Sequence, residues 1–245
     1  MHPTDWPYPR FCAHRGAGTL APENTLAAMR LGADHGYRMF EFDCKLAGDG
    51  SIVLMHDDTL DRTTDGHGRV AQATLADLMR LDAGSWHSPD YAGEGVPTLF
   101  RVARWLLAND FLANIEIKPC VGRDFETGAA VAMEADHLFR DADIAPVLTS
   151  FSESALEGAR EAAPDLPRGL LFDTLPDDWL ARALALGCVA INPHFSQLSE
   201  AVVDAAHDAG LRVLSYTVNA PERLDELVAW GVDTLITDAV DQFAP

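Results

Sequence analysis

Short apolar runs recur along the chain, and most are followed by a longer stretch whose apolar residues return at helical spacing. Arg10-Phe11-Cys12-Ala13-His14 is the first run, and it ends in a polar cluster. Pro22-Glu23-Asn24-Thr25 opens a helix predicted through about His35, with Leu26, Met29 and Ala33 on one face and Gly36 at its C-terminal cap. Met39 to Asp43 reads as the second strand. Asp49-Gly50 then turns the chain so that Ile52 to Met55 can pair back as a hairpin. From Asp57 to about Pro97 the pattern dissolves into glycines and prolines, with one short helical stretch near Leu75 to Leu81. That segment is too long for an ordinary connection and reads as a functional insertion or small subdomain.

Regularity returns with a helix over Leu99 to Leu107 and a strand over Leu112 to Ile117. Helices follow at about Phe125 to Arg140, Glu153 to Ala163, Asp178 to Leu186, Glu200 to Ala209 and Pro221 to Trp230. They alternate with strands at Val147 to Phe151, Gly169 to Phe172, Cys188 to Ile191, Leu211 to Val218 and Thr234 to Thr237. The later strands start about 22 residues apart, the spacing of short βα units. Eight strands, all but the last followed by a helix, predict an α/β fold: a (β/α)8 TIM barrel over residues 1–245, with the insertion at about 57–97 after the second strand. The alternative, a doubly wound open sheet, lacks its glycine fingerprint, because Gly16 and Gly18 are followed by Leu20-Ala21-Pro22.

A chain of 245 residues with 48% hydrophobic and 23% charged content suits one large domain with a full core. Its formal charge of −20 argues against nucleic acid or anionic lipid as a partner. The same field repels phosphate, so a phosphate-handling site needs local positive charge or a metal ion. Cys12, Cys44, Cys120 and Cys188 form no Cys-x-x-Cys pair and read as buried core residues. The opening Met1-His2-Pro3-Thr4-Asp5-Trp6-Pro7 lacks the basic and apolar regions of a secretory leader, and no apolar run reaches bilayer length. The expectation is a soluble, cytoplasmic protein without stable membrane association. Apolar outer helix faces suit a monomer and a homodimer alike.

Catalytic groups in such barrels stand at the C-terminal ends of strands. His14 and Arg15 fall there on the first strand, Glu41 and Asp43 on the second, and Glu116 and Lys118 on the third. Period-two alternation puts Glu41 with Asp43, and Glu116 with Lys118, on inward faces, leaving Phe40, Phe42, Ile115 and Ile117 to pack against helices. Three carboxylates brought together this way need a cation. Hard oxygen donors without thiolates or paired histidines favour Mg²⁺, with Mn²⁺ or Ca²⁺ served by the same donors. With Arg15, Lys118 and a divalent ion, the group carries one net positive charge, which a phosphodiester monoanion neutralises. The chain has sixteen arginines and two lysines, Lys45 and Lys118, both beside the proposed ligands. Lys118 reads as a phosphate contact, while Lys45 reads equally well as a solvated turn residue. His14 and His56 end apolar runs beside charged partners and suit general acid–base work. His2, His35, His67, His87, His137 and His207 read as structural or surface histidines. Phe151 and Tyr216, on barrel loops, and Ser85, Trp86 and Tyr91, in the insertion, are candidates to line a small-molecule substrate.

Taken in order, His14-Arg15-Gly16, Ala21-Pro22-Glu23-Asn24-Thr25, Glu41-x-Asp43, His56-Asp57-Asp58, Glu116-Ile117-Lys118, Tyr216-Thr217-Val218-Asn219 and Gly231-Val232-Asp233 resemble the glycerophosphodiester phosphodiesterase family. Trp6-Pro7-Tyr8-Pro9-Arg10 and Asp82-Ala83-Gly84-Ser85-Trp86 resemble its cytoplasmic bacterial branch associated with glycerol-phosphate uptake. The resemblance implies a barrel with a small inserted subdomain. It also implies hydrolysis of diesters such as glycerophosphocholine or glycerophosphoethanolamine to sn-glycerol 3-phosphate and an alcohol. It assigns the metal to Glu41, Asp43 and Glu116, catalysis to His14 and His56, and the phosphate to Arg15 and Lys118. Many members carry Trp where Tyr216 stands. A lipid-cleaving phospholipase of the same barrel type and a catalytically silent phosphodiester-binding barrel are the rival readings.

Overall fold

The computed structural model describes residues 6–245. The opening Met1–Asp5, including His2 and most of the segment read against a leader, lies outside the described residues. Eight parallel strands close into a barrel: β1 (Phe11–Ala13), β2 (Met39–Leu46), β4 (Leu112–Ile117), β5 (Val147–Ser150), β6 (Arg168–Phe172), β7 (Ala190–Pro193), β8 (Arg212–Ser215) and β9 (Thr234–Thr237). Closure is made by β1, which pairs in parallel with both β9 and β2. A ninth strand, β3 (Ile52–Leu54), folds back antiparallel on the end of β2, as the Asp49-Gly50 turn predicts.

The outer helices are α1 (Leu26–Asp34), α3 (Leu99–Ala108), α4 (Asp124–Leu138), α5 (Glu153–Ala162), α6 (Trp179–Ala185), α7 (Glu200–Asp208) and α8 (Pro221–Ala229), with a short α2 (Leu75–Leu78) in the insertion. Several starts are written in the sequence as hydroxyl caps. The side chains of Thr25, Thr98, Ser152 and Ser199 accept from backbone amides in the first turns of α1, α3, α5 and α7. All four cysteines are free and buried. No helix among the described residues is long and apolar enough to cross a membrane.

Most boundaries shift by a residue or two from the pattern-based reading, and three of the shifts bear on the site. β2 continues to Leu46 because β3 pairs with its end, Lys45 lying opposite Val53, so Lys45 belongs to the strand and not to a turn. β7 begins two residues later than expected. The Cys188 amide is taken by the Ala183 carbonyl, closing α6, and Gly187 at φ +66° makes the turn. β8 stops at Ser215, and Tyr216 continues it only through a single parallel bridge to His194 at the barrel mouth.

Side-chain parity separates core from site. Phe40, Phe42, Ile115 and Ile117 face outward and bury themselves with Val102 and Leu106 of α3 and Val131 and Ala135 of α4. The Phe40 ring meets Trp105 at 5.7 Å and Phe111 at 5.4 Å. Tyr8, Cys12, Met39, Val147 and Ile236 form a further apolar cluster, against which Tyr216 also packs. Trp6 helps to anchor it, donating to Thr234 Oγ1 at 2.9 Å. The 57–97 segment gathers Leu60, Val70, Leu78, Ala83 and Val96 around Val53 and Met55. One of its loops is knotted by the Asp82 carboxylate, which accepts from the amides of Gly84, Ser85 and Gly93.

Because Phe40 anchors the strand that carries Glu41, Phe40→Ala is expected to destabilise the fold by about 3–5 kcal/mol. Denaturant titration checks this; a loss under about 1 kcal/mol contradicts the packing described.

Candidate active site

Parity places Glu41, Asp43 and Lys45 of β2 on the inward face, beside Asn114 and Glu116 of β4, with Asp43 directly opposite Glu116. One carboxylate oxygen from each of Glu41, Asp43 and Glu116 lies within 4.8 Å of the others. All three side chains are buried or nearly so, where carboxylates side by side repel strongly.

The first strand–helix loop answers that repulsion. Arg15 adopts a left-handed conformation, φ +49°, which turns its amide to donate to Glu41 Oε2 at 3.0 Å. Its guanidinium reaches Glu23 at 2.9 Å and stands 3.4 Å from Asp43. Asn24, also left-handed at φ +59°, donates from Nδ2 to Asp43 at 2.8 Å and accepts the Asp43 amide at 3.0 Å. Lys118 Nζ donates to Glu116 at 2.7 Å and lies 3.8 Å from Asp43. Gly18 lets this loop fold tightly, since a Cβ there would stand 2.3 Å from the Asp238 backbone.

Burial raises the pKa of each carboxylate, and the partners decide the outcome. For Asp43, Arg15, Lys118, His56 and Asn24 overcome burial and hold it below the ordinary range. For Glu116, burial and the Asp43 charge outweigh Lys118, and it is raised. Glu41 is pushed up to about 8 by burial and then by Asp43. Its Oε1 is buried with no hydrogen-bond partner. A free buried oxygen on Glu41 and two further carboxylate oxygens within reach, short of compensating positive charge, fit a hard divalent cation.

Both candidate histidines are oriented by a carboxylate. His14 Nδ1 bonds Asp238 at 2.6 Å, and its Nε2 lies 3.8 Å from Glu41. Burial lowers the His14 pKa, but Asp238 and Glu41 outweigh it and the net shift is upward. His56 Nδ1 bonds Asp57 at 2.7 Å. Its pKa is lowered, by burial first, with Arg15 and Lys118 adding to this against Asp43 and Asp57. Each carboxylate fixes the proton on Nδ1 and leaves Nε2 free to exchange one. A salt-bridge network joins the two sides. Arg62, from the 57–97 segment, donates to both oxygens of Glu23 at 2.7 and 2.8 Å and to both oxygens of Asp57 at 2.7 and 3.0 Å.

Toward the rim, Lys118 Nζ lies 5.2 Å over the Phe151 ring, and Phe151 meets Tyr216 edge-on at 5.7 Å. Lys45 is 1% exposed and donates to Asp58 at 2.8 Å. Lys45, His56, Asp58, Lys118 and Phe151 line a cavity of about 250 Å³, open to the mouth. The nine residues proposed from the sequence therefore meet around one opening. Trp86 and Tyr91 instead stand with His87 in the insertion, and Ser85 is taken by Asp82.

The glycerophosphoryl diester phosphodiesterase family profile matches residues 14–242. The chain belongs to that family. A glycerophosphodiester phosphodiesterase of Caldanaerobacter subterraneus subsp. tengcongensis is 33% identical over 231 residues, 92% of each chain. A solved Oleispira antarctica phosphodiesterase, in complex with the product sn-glycerol-3-phosphate, is 35% identical with a TM-score of 0.88, covering 94% of this chain and 93% of that one. A glycerophosphodiester phosphodiesterase from Agrobacterium tumefaciens superposes with a TM-score of 0.81 at 29% identity, over 97% and 99% of the two chains.

Within this family member, the sequence reading missed Asp238, Arg62 and His194, and named Asn219 only as part of a motif, without a role. Asn219 donates to Asp238 Oδ2 at 2.9 Å and accepts the Asp238 amide at 2.9 Å, setting the carboxylate that orients His14. His194, whose ring lies 5.6 Å from Tyr216, and Asp238 directly follow β7 and β9. The rule that found Glu116 could have found both.

Glu41 gives a pH dependence with a definite sign. Its folded pKa of about 8 exceeds the ordinary carboxylate value of 4.5. The stability it contributes is thus complete below pH 4.5 and is lost as pH rises toward 8. Melting temperatures of metal-free protein across that window should fall more steeply for wild type than for Glu41→Gln. Equal slopes contradict the burial of an unpaired carboxyl.

Proposed function

We propose that the chain hydrolyses glycerophosphodiesters, such as glycerophosphocholine or glycerophosphoethanolamine, to sn-glycerol 3-phosphate and an alcohol. The observation that carries this reading is the meeting of a three-carboxylate cluster, two carboxylate-oriented imidazoles and two cationic side chains at one barrel mouth. The names of the relatives support it. We read residues 1–245 as one domain, with 57–97 as an insertion that supplies Arg62 to the site.

Glu41, Asp43 and Glu116 are the groups that would hold the cation, Mg²⁺ in our reading, with Mn²⁺ or Ca²⁺ suited to the same donors. When bound, such an ion stabilises negative charge developing on the phosphoryl oxygens. Arg15 and Lys118 hold the phosphate from the flanks and add positive charge of their own. One imidazole takes the proton of the attacking oxygen, either from water directly or from the substrate's own glycerol hydroxyl, in which case water then opens the cyclic phosphate to give sn-glycerol 3-phosphate. The other protonates the departing alkoxide as its bond to phosphorus breaks. Asp238 and Asp57 keep both rings in register and stabilise whichever is cationic. Phe151 and Tyr216 offer apolar faces to the glycerol carbons.

The direct test is release of sn-glycerol 3-phosphate from glycerophosphocholine. Turnover is expected with Mg²⁺ and is abolished by chelator; no turnover with Mg²⁺, Mn²⁺ or Ca²⁺ contradicts the enzyme reading in favour of a silent binding barrel. His14→Ala and His56→Ala should each lower kcat by about 10²–10⁴-fold with unchanged circular dichroism, and a near-wild-type rate removes that residue from the chemistry. Arg62→Met cuts both forks of the bridge, and the resulting misplacement of His56 and Arg15 is expected to lower kcat by up to about 10²-fold. A wild-type kcat would show that Asp57 and Glu23 hold their partners unaided.

A further inference from the structure

Just inside the carboxylate cluster, the barrel interior carries amides without partners. Asn114 on β4 and Asn192 on β7 are 0% and 1% exposed. The Asn114 carbonyl accepts the Thr149 hydroxyl at 2.9 Å, but its Nδ2 has no hydrogen-bond partner, and neither polar atom of Asn192 has one. These amides, with Glu41, Glu116 and His14, line a cavity of about 20 Å³. Glu41 brings to it a buried Oε1 that is also unpaired.

An amide buried without a partner is costly, and an apolar side chain of similar size would remove that cost. An interior packed with branched apolar residues is the common solution in barrels of this type. Two polar residues here point to a ligand. The cavity exceeds the roughly 10–15 Å³ that one water requires, and it offers more than the two polar partners that hold one in place. The two Nδ2 groups are donors, while Asn192 Oδ1 and Glu41 Oε1 are acceptors.

We propose that Asn192, assisted by Asn114, holds one buried water against Glu41 Oε1 and so positions that carboxylate for the cation. Glu41 Oε2 is already held by the Arg15 amide. With the water on Oε1, both oxygens are fixed, and Oε1 keeps a second lone pair for a metal ion. Asn192 is thus a positioning residue, acting on the cation through water and Glu41. The inference rests on the carboxylate cluster being the cation site. Outer partners of metal ligands commonly govern affinity in this way.

The test is calorimetric titration of Mg²⁺ into wild-type and Asn192→Leu protein without substrate, alongside the unfolding midpoint of each metal-free protein and a high-resolution crystal structure of the wild type. Asn192→Leu is expected to weaken Mg²⁺ binding by about 10-fold or more without lowering the midpoint, because leucine fills the cavity. Asn192→Ser, which keeps a hydroxyl and admits further water, should recover most of the affinity. The wild-type crystal should show one water within hydrogen-bonding distance of Asn192 and Glu41 Oε1. Affinity of Asn192→Leu within about 2-fold of wild type, well short of that outer-partner loss, or a cavity without water density, overturns the inference and leaves the cation site standing. Failure of the wild type to bind Mg²⁺ overturns the cation site, and this role of Asn192 with it.

Discussion

Three carboxylates buried side by side are the constraint on which this structure turns. Water cannot solvate them, and their mutual repulsion in a low-dielectric barrel mouth is severe. Much of the unusual local structure answers it. Arg15 and Asn24 both occupy left-handed backbone, at about 1–3 kcal/mol each. That conformation aims an amide at Glu41 and a side-chain amide at Asp43. Lys118 sits two residues beyond Glu116 on the same face and reaches it at 2.7 Å. Even so, Glu41 remains raised to about 8. The protein's own cations leave part of the repulsion unanswered, which is the property a divalent ion would complete.

The same economy governs the rest of the mouth. His14 and His56 are each tied at Nδ1 to a carboxylate, and each of those carboxylates is itself held: Asp238 by Asn219, Asp57 by Arg62. Arg62 also grips Glu23, which grips Arg15. A displacement of the 57–97 segment therefore reaches both histidine-bearing sides. In a chain of charge −20, Arg15, Lys118 and Lys45 stand at this opening beside Glu41, Asp43, Glu116 and Asp58, and a divalent ion would turn that group net positive. With such an ion bound, an anion at the mouth would meet a positive field at short range, while salt screens the more distant negative charges.

How much of this was legible depended on sequence distance. Periodicity carried the strands and helices, and period-two parity on β2 and β4 correctly separated Glu41 and Asp43 from Phe40 and Phe42. The missed groups act across folded distances: Asp238 is 224 residues from His14, and Arg62 is 39 from Glu23. Position at a strand's C-terminal end could have flagged Asp238, but no local pattern announces its pairing with His14. Lys45 was undecided because the length of β2 depends on β3 pairing with it, a tertiary fact. Asn114 and Asn192 look like ordinary polar residues until closure of the barrel turns them inward and leaves Asn114 Nδ2 and both polar atoms of Asn192 unpaired.

The central claim is that Glu41, Asp43 and Glu116 form one cation site. Anomalous diffraction from a crystal soaked in Mn²⁺ tests it most directly. The expected result is one strong peak bonded to an oxygen of each of the three carboxylates, with His14, His56, Arg15 and Lys118 around it. A crystal that binds Mn²⁺ only elsewhere, or not at all at saturating concentration, would contradict the account.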